Sequence, residues 1–373
     1  MPIFARIRSF FRVSLLTLLL LVAFIGAAIG VYLKRDAWRI VLNVDDADGG
    51  TRPWSLALTN DGKRLAVGAE YKVELWDIDS RTRLAEAPDN DAYLVHNLKY
   101  TPDERSLMYV RVADEPKFRS AAVLRDARTL TVQRVIPDVS FAALSPDGTR
   151  VLCIDDRKAR MLEWPSQTKL FEWRQLPSVK GTFSPDGTRM LLLNERFLKL
   201  VDPREPDQND ENTFAGGVLD AAFSADSKKI AVAGYQGLKL LTCEPLTPQA
   251  VPVETSHCNA VCFSRDGSRL AIMEFDECRV FEYPSFKEVC QFHCSGASKY
   301  TDIAMSEDGT VVAAASFDFG AFWVAKRQRR EGPWGIFFVP ETWIALAAGL
   351  LLIVQVVRRV HSRAASPLAG HVP

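Results

Sequence analysis

Seven copies of one short pattern constrain the fold of this chain more than any other feature. In each copy, serine or threonine stands two positions before an aspartate. An apolar residue stands three positions before the aspartate, and another stands four positions after it. The seven aspartates are Asp61, Asp103, Asp147, Asp186, Asp226, Asp266 and Asp308. Their spacings are 42, 44, 39, 40, 40 and 42 residues, so the chain is a tandem repeat.

The chemistry of the pattern predicts a tight turn between two β-strands. Aspartate tolerates a turn position, and in five copies the next residue is a glycine, which adopts positive φ easily. Apolar strands enter and leave this turn, and each repeat has room for four short strands. One such unit cannot bury both of its faces, so the units are expected to stack into a ring. The predicted fold is therefore all-β, a seven-bladed β-propeller.

The repeats resemble those of the WD-repeat β-propeller family over roughly residues 38–325. Trp76-Asp77, within VELWDIDSRTRL, matches the dipeptide that names the family. In three other repeats LEWP, KLVDP and FEYP stand in its place, and the family's Gly-His dipeptide is absent. The resemblance implies blades whose four strands, a to d, run from the ring axis outward.

The last repeat supplies three strands and lacks a fourth. Its strands are predicted at Asp302–Ser306, Val311–Phe317 and Gly320–Ala325, after which the chain becomes basic. One unassigned strand, Trp38–Val44, precedes the first repeat. We expect this strand to be the missing outer strand that closes the ring; the alternative is a free edge strand, which proteins usually avoid. Because strands c and d are antiparallel, closure brings both ends of the propeller to one corner.

Both ends of the chain have the composition of membrane segments. Val13–Leu33 is 21 residues long without a charge, enough to cross a bilayer core of about 30 Å. A cleaved signal peptide is the alternative for this segment. Trp343–Val357 is shorter and reaches spanning length only with part of the preceding GIFFVPET. The expected domains are a tail and transmembrane helix at 1–36, the propeller at 37–325, a basic linker at 326–333, a transmembrane helix at 334–359 and a tail at 360–373.

Small residues recur at four-residue spacing in both membrane segments. Gly26 and Gly30 lie in the first, and Ala345 and Gly349 lie in the second. Small residues let helix backbones approach closely in lipid, so we expect these two pairs to pack together. The alternative is that glycine and alanine are simply frequent in membrane helices.

Charge and residue type exclude several functions. Residues 37–325 hold 34 basic and 43 acidic residues, a net charge of −9 that would repel nucleic acid. That region has three histidines and no nucleophile or phosphate-binding motif, so no catalytic residue is predicted. The seven cysteines lie mostly in apolar strands without the pairs of a zinc site. No metal and no cofactor are expected.

Aromatic residues in the b–c connections suggest a binding rim. They are Tyr71, Phe197, Tyr235, Phe275, Phe317 and Phe319. Exposed aromatics anchor protein partners, while the alternative is packing between blades. The favoured function is a non-catalytic interaction or scaffolding module held at the bilayer. The alternative function is a propeller enzyme, such as a lactonase or quinoprotein-type dehydrogenase, but the inner-strand positions are mainly apolar or Ser/Thr.

The orientation in the cell membrane follows from the basic residues. Arg6, Arg8 and Arg12 favour a cytoplasmic amino terminus, and the first helix usually dominates topology. Two spans would then place the propeller outside the cytoplasm. Basic residues that flank the propeller oppose this orientation: Lys34, Arg35, Arg39, Lys326, Arg327, Arg329 and Arg330.

Overall fold

A computed structural model of the chain describes the repeat region almost completely. The described residues are 38–44, 52–89, 91–113, 120–155, 158–174, 180–204, 213–215, 217–294, 301–316, 318, 320–328 and 354. Residues 38–326 form one compact unit. No helix among the described residues is both long and apolar enough to span a bilayer. The predicted transmembrane helices, with Gly26, Gly30, Ala345 and Gly349, lie outside the described residues.

Seven four-stranded antiparallel sheets form the blades of a propeller. Blade 1 contains β2 (Pro53–Leu58), β3 (Arg64–Ala69), β4 (Lys72–Asp77) and β5 (Thr82–Pro88). Blade 2 contains β6 (Leu94–Tyr100), β7 (Ser106–Val112), β8 (Ser120–Asp126) and β9 (Val132–Pro137). Blade 3 contains β10 (Phe141–Leu144), β11 (Arg150–Ile154), β12 (Lys158–Glu163) and β13 (Lys169–Arg174). Blade 4 contains β14 (Lys180–Phe183), β15 (Met190–Leu193), β16 (Phe197–Val201) and β17 (Thr213–Ala215).

The remaining blades complete the ring. Blade 5 contains β18 (Val218–Phe223), β19 (Lys229–Gly234), β20 (Gly237–Thr242) and β21 (Pro248–Gln249). Blade 6 contains β22 (Cys258–Phe263), β23 (Arg269–Glu274), β24 (Glu277–Glu282) and β25 (Glu288–His293). Blade 7 contains β26 (Thr301–Met305), β27 (Val311–Ser316), β28 (Ala321–Arg327) and β1 (Trp38–Val44). The first strand of each blade is innermost, and β2 contacts the inner strands of both neighbouring blades, β6 and β26.

The strand order of blade 7 shows how the ring closes. Its order is β1-β28-β27-β26, so the strand from the start of the propeller forms the outer edge of the last blade. Leu42 and Val44 of β1 are buried with Phe322 of β28 and with Leu56 and Ile78 of blade 1. The closing strand therefore contributes to the core between blades 7 and 1. Seven apolar clusters of this kind each join two adjacent blades.

The repeated aspartates stabilise the a–b turns. In blade 3 the Ser145 hydroxyl donates to Asp147 Oδ1 over 2.5 Å and accepts the Arg150 N–H over 2.9 Å. The Thr149 N–H also donates to Asp147 Oδ1, over 3.0 Å. The hydroxyl–carboxylate bond recurs in all seven repeats. The Ser145 hydroxyl and the Thr149 N–H lower the pKa of Asp147 to about 2, so this carboxylate is ionised at neutral pH.

In two of the seven turns another residue replaces the glycine, and its side chain makes a hydrogen bond that glycine could not make. Gly148 follows its aspartate at φ 69°, whereas Glu104 and Ser227 occupy the same position at φ 56° and 59°. Side chains are disfavoured there, at a cost of roughly 1–2 kcal/mol. Both side chains accept a backbone N–H from the turn of the preceding blade: Glu104 from Asn60, and Ser227 from Asp186. These bonds between blades offset the conformational cost.

Candidate binding face

Three of the predicted rim aromatics project from b–c turns on one face of the ring. Tyr71 lies between β3 and β4, Tyr235 between β19 and β20, and Phe275 between β23 and β24. The flanking strands pair up to the turn, so each turn has only two residues. The exposed fractions of the three side chains are 46%, 46% and 45%. These side chains are therefore presented to solvent by short, rigid hairpins.

Two of these aromatics adopt a costly backbone conformation. Tyr71 has φ 60° and Phe275 has φ 48°. Bulky residues are rare at positive φ, where glycine or asparagine would relieve the strain. Stability alone does not favour an aromatic at either turn, because its side chain is half exposed and its backbone is strained. Tyr71 and Phe275 are therefore candidates for a functional role.

A d–a connection supplies a second tyrosine beside Tyr71. The ring centroids of Tyr71 and Tyr93 lie 5.9 Å apart with the planes at 74°, an edge-to-face contact. Tyr93 lies between β5 and β6 and is 38% exposed. We call Tyr71 and Tyr93 the blade 1 patch.

A second patch has the same construction and joins blades 5 and 6. The His257 ring centroid lies 5.1 Å from that of Tyr235 and 5.2 Å from that of Phe275. His257 Nε2 lies 2.7 Å from Asn259 Oδ1, which orients the imidazole ring. We call Tyr235, His257 and Phe275 the blade 6 patch. Sequence reasoning missed Tyr93 and His257, although both lie in the connection just before an inner strand.

A buried charged network supports the blade 1 patch. Asp89 donates its N–H to the Tyr71 carbonyl over 2.7 Å, and its carboxylate accepts the Tyr109 hydroxyl. Arg111 Nη1 lies 3.1 Å from Asp89 Oδ1, and Arg125 Nη2 lies 3.4 Å from Asp89 Oδ2. Burial and the Asp89 carboxylate raise the pKa of Tyr109 well above its ordinary value. The buried network therefore holds the Tyr71 turn against the connection that carries Tyr93.

The connection of the blade 6 patch is also anchored by charge. Glu274 Oε1 accepts the Ser256 hydroxyl over 2.7 Å, and Arg279 Nη1 lies 2.8 Å from Glu274 Oε2. The Thr255 hydroxyl accepts the Leu238 N–H over 2.8 Å. Burial opposes ionisation of Glu274, but its bonds with Ser256 and Arg279 outweigh this and lower its pKa. Both patches are therefore preorganised.

The other predicted site residues have different positions. Phe197 is the first residue of β16 and is half-buried. Phe317 and Phe319 lie outside the described residues. The seven turn aspartates lie in the a–b turns, at the opposite ends of the inner strands from the aromatic patches. The rim thus has two patches rather than an even ring among the described residues.

Polar residues on the inner strands form a belt around the ring axis. Five repeats have a polar residue six positions before the turn aspartate: Ser55, Asn97, Lys180, Asp220 and Asp302. Each bonds the backbone of the next blade's inner strand. Asp302 Oδ2 accepts the Leu56 N–H over 2.8 Å, and the Ser55 hydroxyl accepts the Leu98 N–H over 2.8 Å. The belt satisfies backbone groups that no neighbouring strand of the same sheet reaches.

The belt adds charge to the channel. The inner strands are mainly apolar or Ser/Thr, but the belt residues Lys180, Asp220 and Asp302 are charged. Burial, with the positive charge of Lys180, lowers the pKa of His96 on β6 to about 4, so His96 is neutral at pH 7. The belt side chains bind neighbouring backbone, as when Lys180 Nζ donates to the Leu219 carbonyl over 3.2 Å.

The cysteines are free thiols in the described structure. Burial raises the pKa of Cys153, Cys258 and Cys262 to about 12, which keeps them protonated and unreactive. Among the described residues, no three His, Cys, Asp or Glu side chains come together in a way that could bind one metal ion.

Comparisons with known proteins bear on the fold alone. No protein-family model and no curated protein matches the sequence. Many solved structures share the fold. One is Kuenenia stuttgartiensis hydrazine synthase, with a TM-score of 0.62 and 12% sequence identity, covering 74% of this chain and 96% of that chain. Such low identity supports a common propeller architecture without a common activity.

Proposed function

We propose that this chain is a non-catalytic, membrane-anchored propeller of degenerate WD-type repeats that binds a protein partner through its b–c face. The observation that carries the proposal is the pair of preorganised aromatic patches, in which Tyr71 and Phe275 remain exposed at positive φ. Exposed, rigid aromatics are the side chains that most often dominate the energy of a protein interface. Binding of a partner would compensate for the strained backbone and the exposed apolar surface of these aromatics.

The charge of the propeller and the use of its polar groups support this function. The net charge of −9 over residues 37–325 disfavours nucleic acid as the partner. The polar residues of the belt bond neighbouring backbone, which leaves fewer convergent groups for chemistry in the channel. Neither a metal nor a cofactor is part of the proposal.

To test the rim, the full-length protein in detergent serves as bait, and the amount of each partner that it recovers is measured. We expect Tyr71→Ser with Tyr93→Ser, or Tyr235→Ser with Phe275→Ser, to weaken recovery of a specific partner about tenfold or more. Truncating a hot-spot aromatic typically costs about 2 kcal/mol or more. The matched control is Leu84→Ser with Val132→Ser, because both side chains are 50% exposed but lie on outer strands. Equal recovery with the rim variants and the wild type would contradict the proposal.

The membrane anchor rests on sequence. We propose that Val13–Leu33 and residues 334–359 cross the cell membrane, with the amino terminus in the cytoplasm and the propeller outside it. Protease added to intact cells should remove the propeller. A propeller that resists digestion until lysis, yet is digested afterwards, would reverse the orientation.

A further inference from the structure

The blade 6 patch presents three rings in one continuous row. The His257 ring lies between those of Tyr235 and Phe275 and contacts both. The two outer rings are about half exposed, so a ligand can reach them from solvent. The face of an aromatic ring attracts a cation that lies within about 6 Å of the ring centre. The row can therefore bind an apolar group or a cation, and the charge of its surroundings decides between them.

Carboxylates flank this row on both of the segments that form it. Asp276 follows Phe275 in the b–c turn, and Glu254 lies three residues before His257 in the d–a connection. The Asp276 side chain is 41% exposed, and its Oδ2 atom lies 3.5 Å from Nδ1 of the exposed His293. Glu254 is exposed as well. A ligand that contacts the rings can therefore also reach a carboxylate.

The cations nearest to these segments do not balance the acidic groups. Arg279 Nη1 lies 2.8 Å from Glu274 Oε2, and Arg279 Nη2 lies 2.8 Å from Glu288 Oε2. One guanidinium thus meets two carboxylates and has no charge left for those that flank the rings. Lys239 Nζ donates to Gln236 Oε1 over 2.8 Å, but a single lysine leaves the surroundings of the row net negative.

The blade 1 patch has a similar construction but a different charge. Asp89 and Asp91 both pair with Arg111, and Asp89 also pairs with Arg125. Two carboxylates therefore meet two guanidiniums, and the acidic groups of the connection that carries Tyr93 are balanced within the fold. The surplus of negative charge is thus a property of the blade 6 patch and not of every aromatic patch on this face.

We propose that the blade 6 patch binds an arginine side chain from a basic segment of the protein partner. This inference rests on the proposed function of the rim and adds the chemistry of the partner. The planar guanidinium stacks on the exposed rings, while its N–H groups donate to the Asp276 or Glu254 carboxylate. Arginine fits better than lysine because its guanidinium is planar and more weakly hydrated than an ammonium group.

The probe for this site is a peptide of alternating glycine and arginine with a photoreactive benzoylphenylalanine at its centre, added to the full-length protein in detergent. We expect crosslinks to peptides that carry residues 254–257 and 275–277. Asp276→Asn with Glu254→Gln should reduce this labelling about fivefold or more, because the charge-assisted bonds are lost. The same peptide with citrulline in place of arginine keeps the planar group without its charge and should label equally weakly.

Asp138→Asn with Glu195→Gln is the matched control. These exposed carboxylates lie in a d–a connection and a b–c turn of the same face, away from the patch. Their removal takes the same charge from the face and should leave the labelling unchanged. Equal loss with the control, equal labelling by the citrulline peptide, or crosslinks elsewhere than the patch would overturn the inference.

Capture of the partner separates this inference from the rim itself. Tyr235→Ser with Phe275→Ser should reduce both the recovery of the partner and the labelling by the arginine peptide. Aromatic variants that recover the partner as the wild type does would refute the rim. If the aromatic variants lose the partner but Asp276→Asn with Glu254→Gln retains it, the arginine site alone is refuted.

Discussion

Leu42→Asp is expected to lower the free energy of unfolding by about 3–5 kcal/mol, through lost apolar packing and a buried, unpaired carboxylate. Leu42 lies on the closing strand β1 and is 6% exposed, in the cluster that joins blades 7 and 1. The strand comes from the opposite end of the propeller sequence, so weakening it opens the ring rather than a single hairpin. Denaturant titration of the full chain in detergent measures the effect.

Asn43→Asp provides the matched control for this prediction. Asn43 is the next residue on the same strand, and its side chain is exposed. The same carboxylate placed there should change stability by less than about 0.5 kcal/mol. If Leu42→Asp and Asn43→Asp unfold at the same denaturant concentration, β1 does not hold the ring closed.

Asp89→Ala is expected to destabilise the protein by about 3–5 kcal/mol, because it leaves a buried arginine without its counter-charge. Asp89 and Arg125 are 4% and 6% exposed, and Arg111 also pairs with this carboxylate. The variant should additionally loosen the connection that presents Tyr93. Thermal unfolding measures the first effect, and protease cleavage near residue 90 measures the second.

Asp91→Ala tests whether burial is the cause. Asp91 pairs with the same Arg111 over 3.1 Å, but its side chain is 77% exposed. An exposed ion pair contributes at most about 1 kcal/mol, so Asp91→Ala should remain close to the wild type. Comparable losses from the two variants would mean that the ion pair with Arg111, and not the buried network, supplies the stability.

The hairpins and the closure of the ring were predictable because their determinants are local or countable. Within a repeat, Ser145 bonds both Asp147 and Arg150 within five positions, so their spacing reveals the turn. A last blade with three strands and a strand before the first repeat predicted the pairing of β1 with β28. The structure extends the end of β28 to Arg327, beyond the predicted Ala325, because its pairing with β27 continues through Lys326.

The binding face was predictable only in part. Tyr71, Tyr235 and Phe275 stood out because aromatic residues recur in the b–c connections, and all three side chains are exposed. Tyr93 and His257 were missed because the d–a connections vary in length and have no repeated pattern. Only the packing of one connection against the next turn reveals which residues become neighbours.

The sequence by itself determined the number of blades, the turn chemistry and the closing strand, since each depends on bonds within a repeat or on a count of strands. The tertiary structure decided the rest. The belt joins Asp302 to Leu56, which lie 246 positions apart, and Asp220 to Val261, which lie 41 apart. No local spacing encodes such bonds, because they exist only once the ring has brought adjacent inner strands side by side.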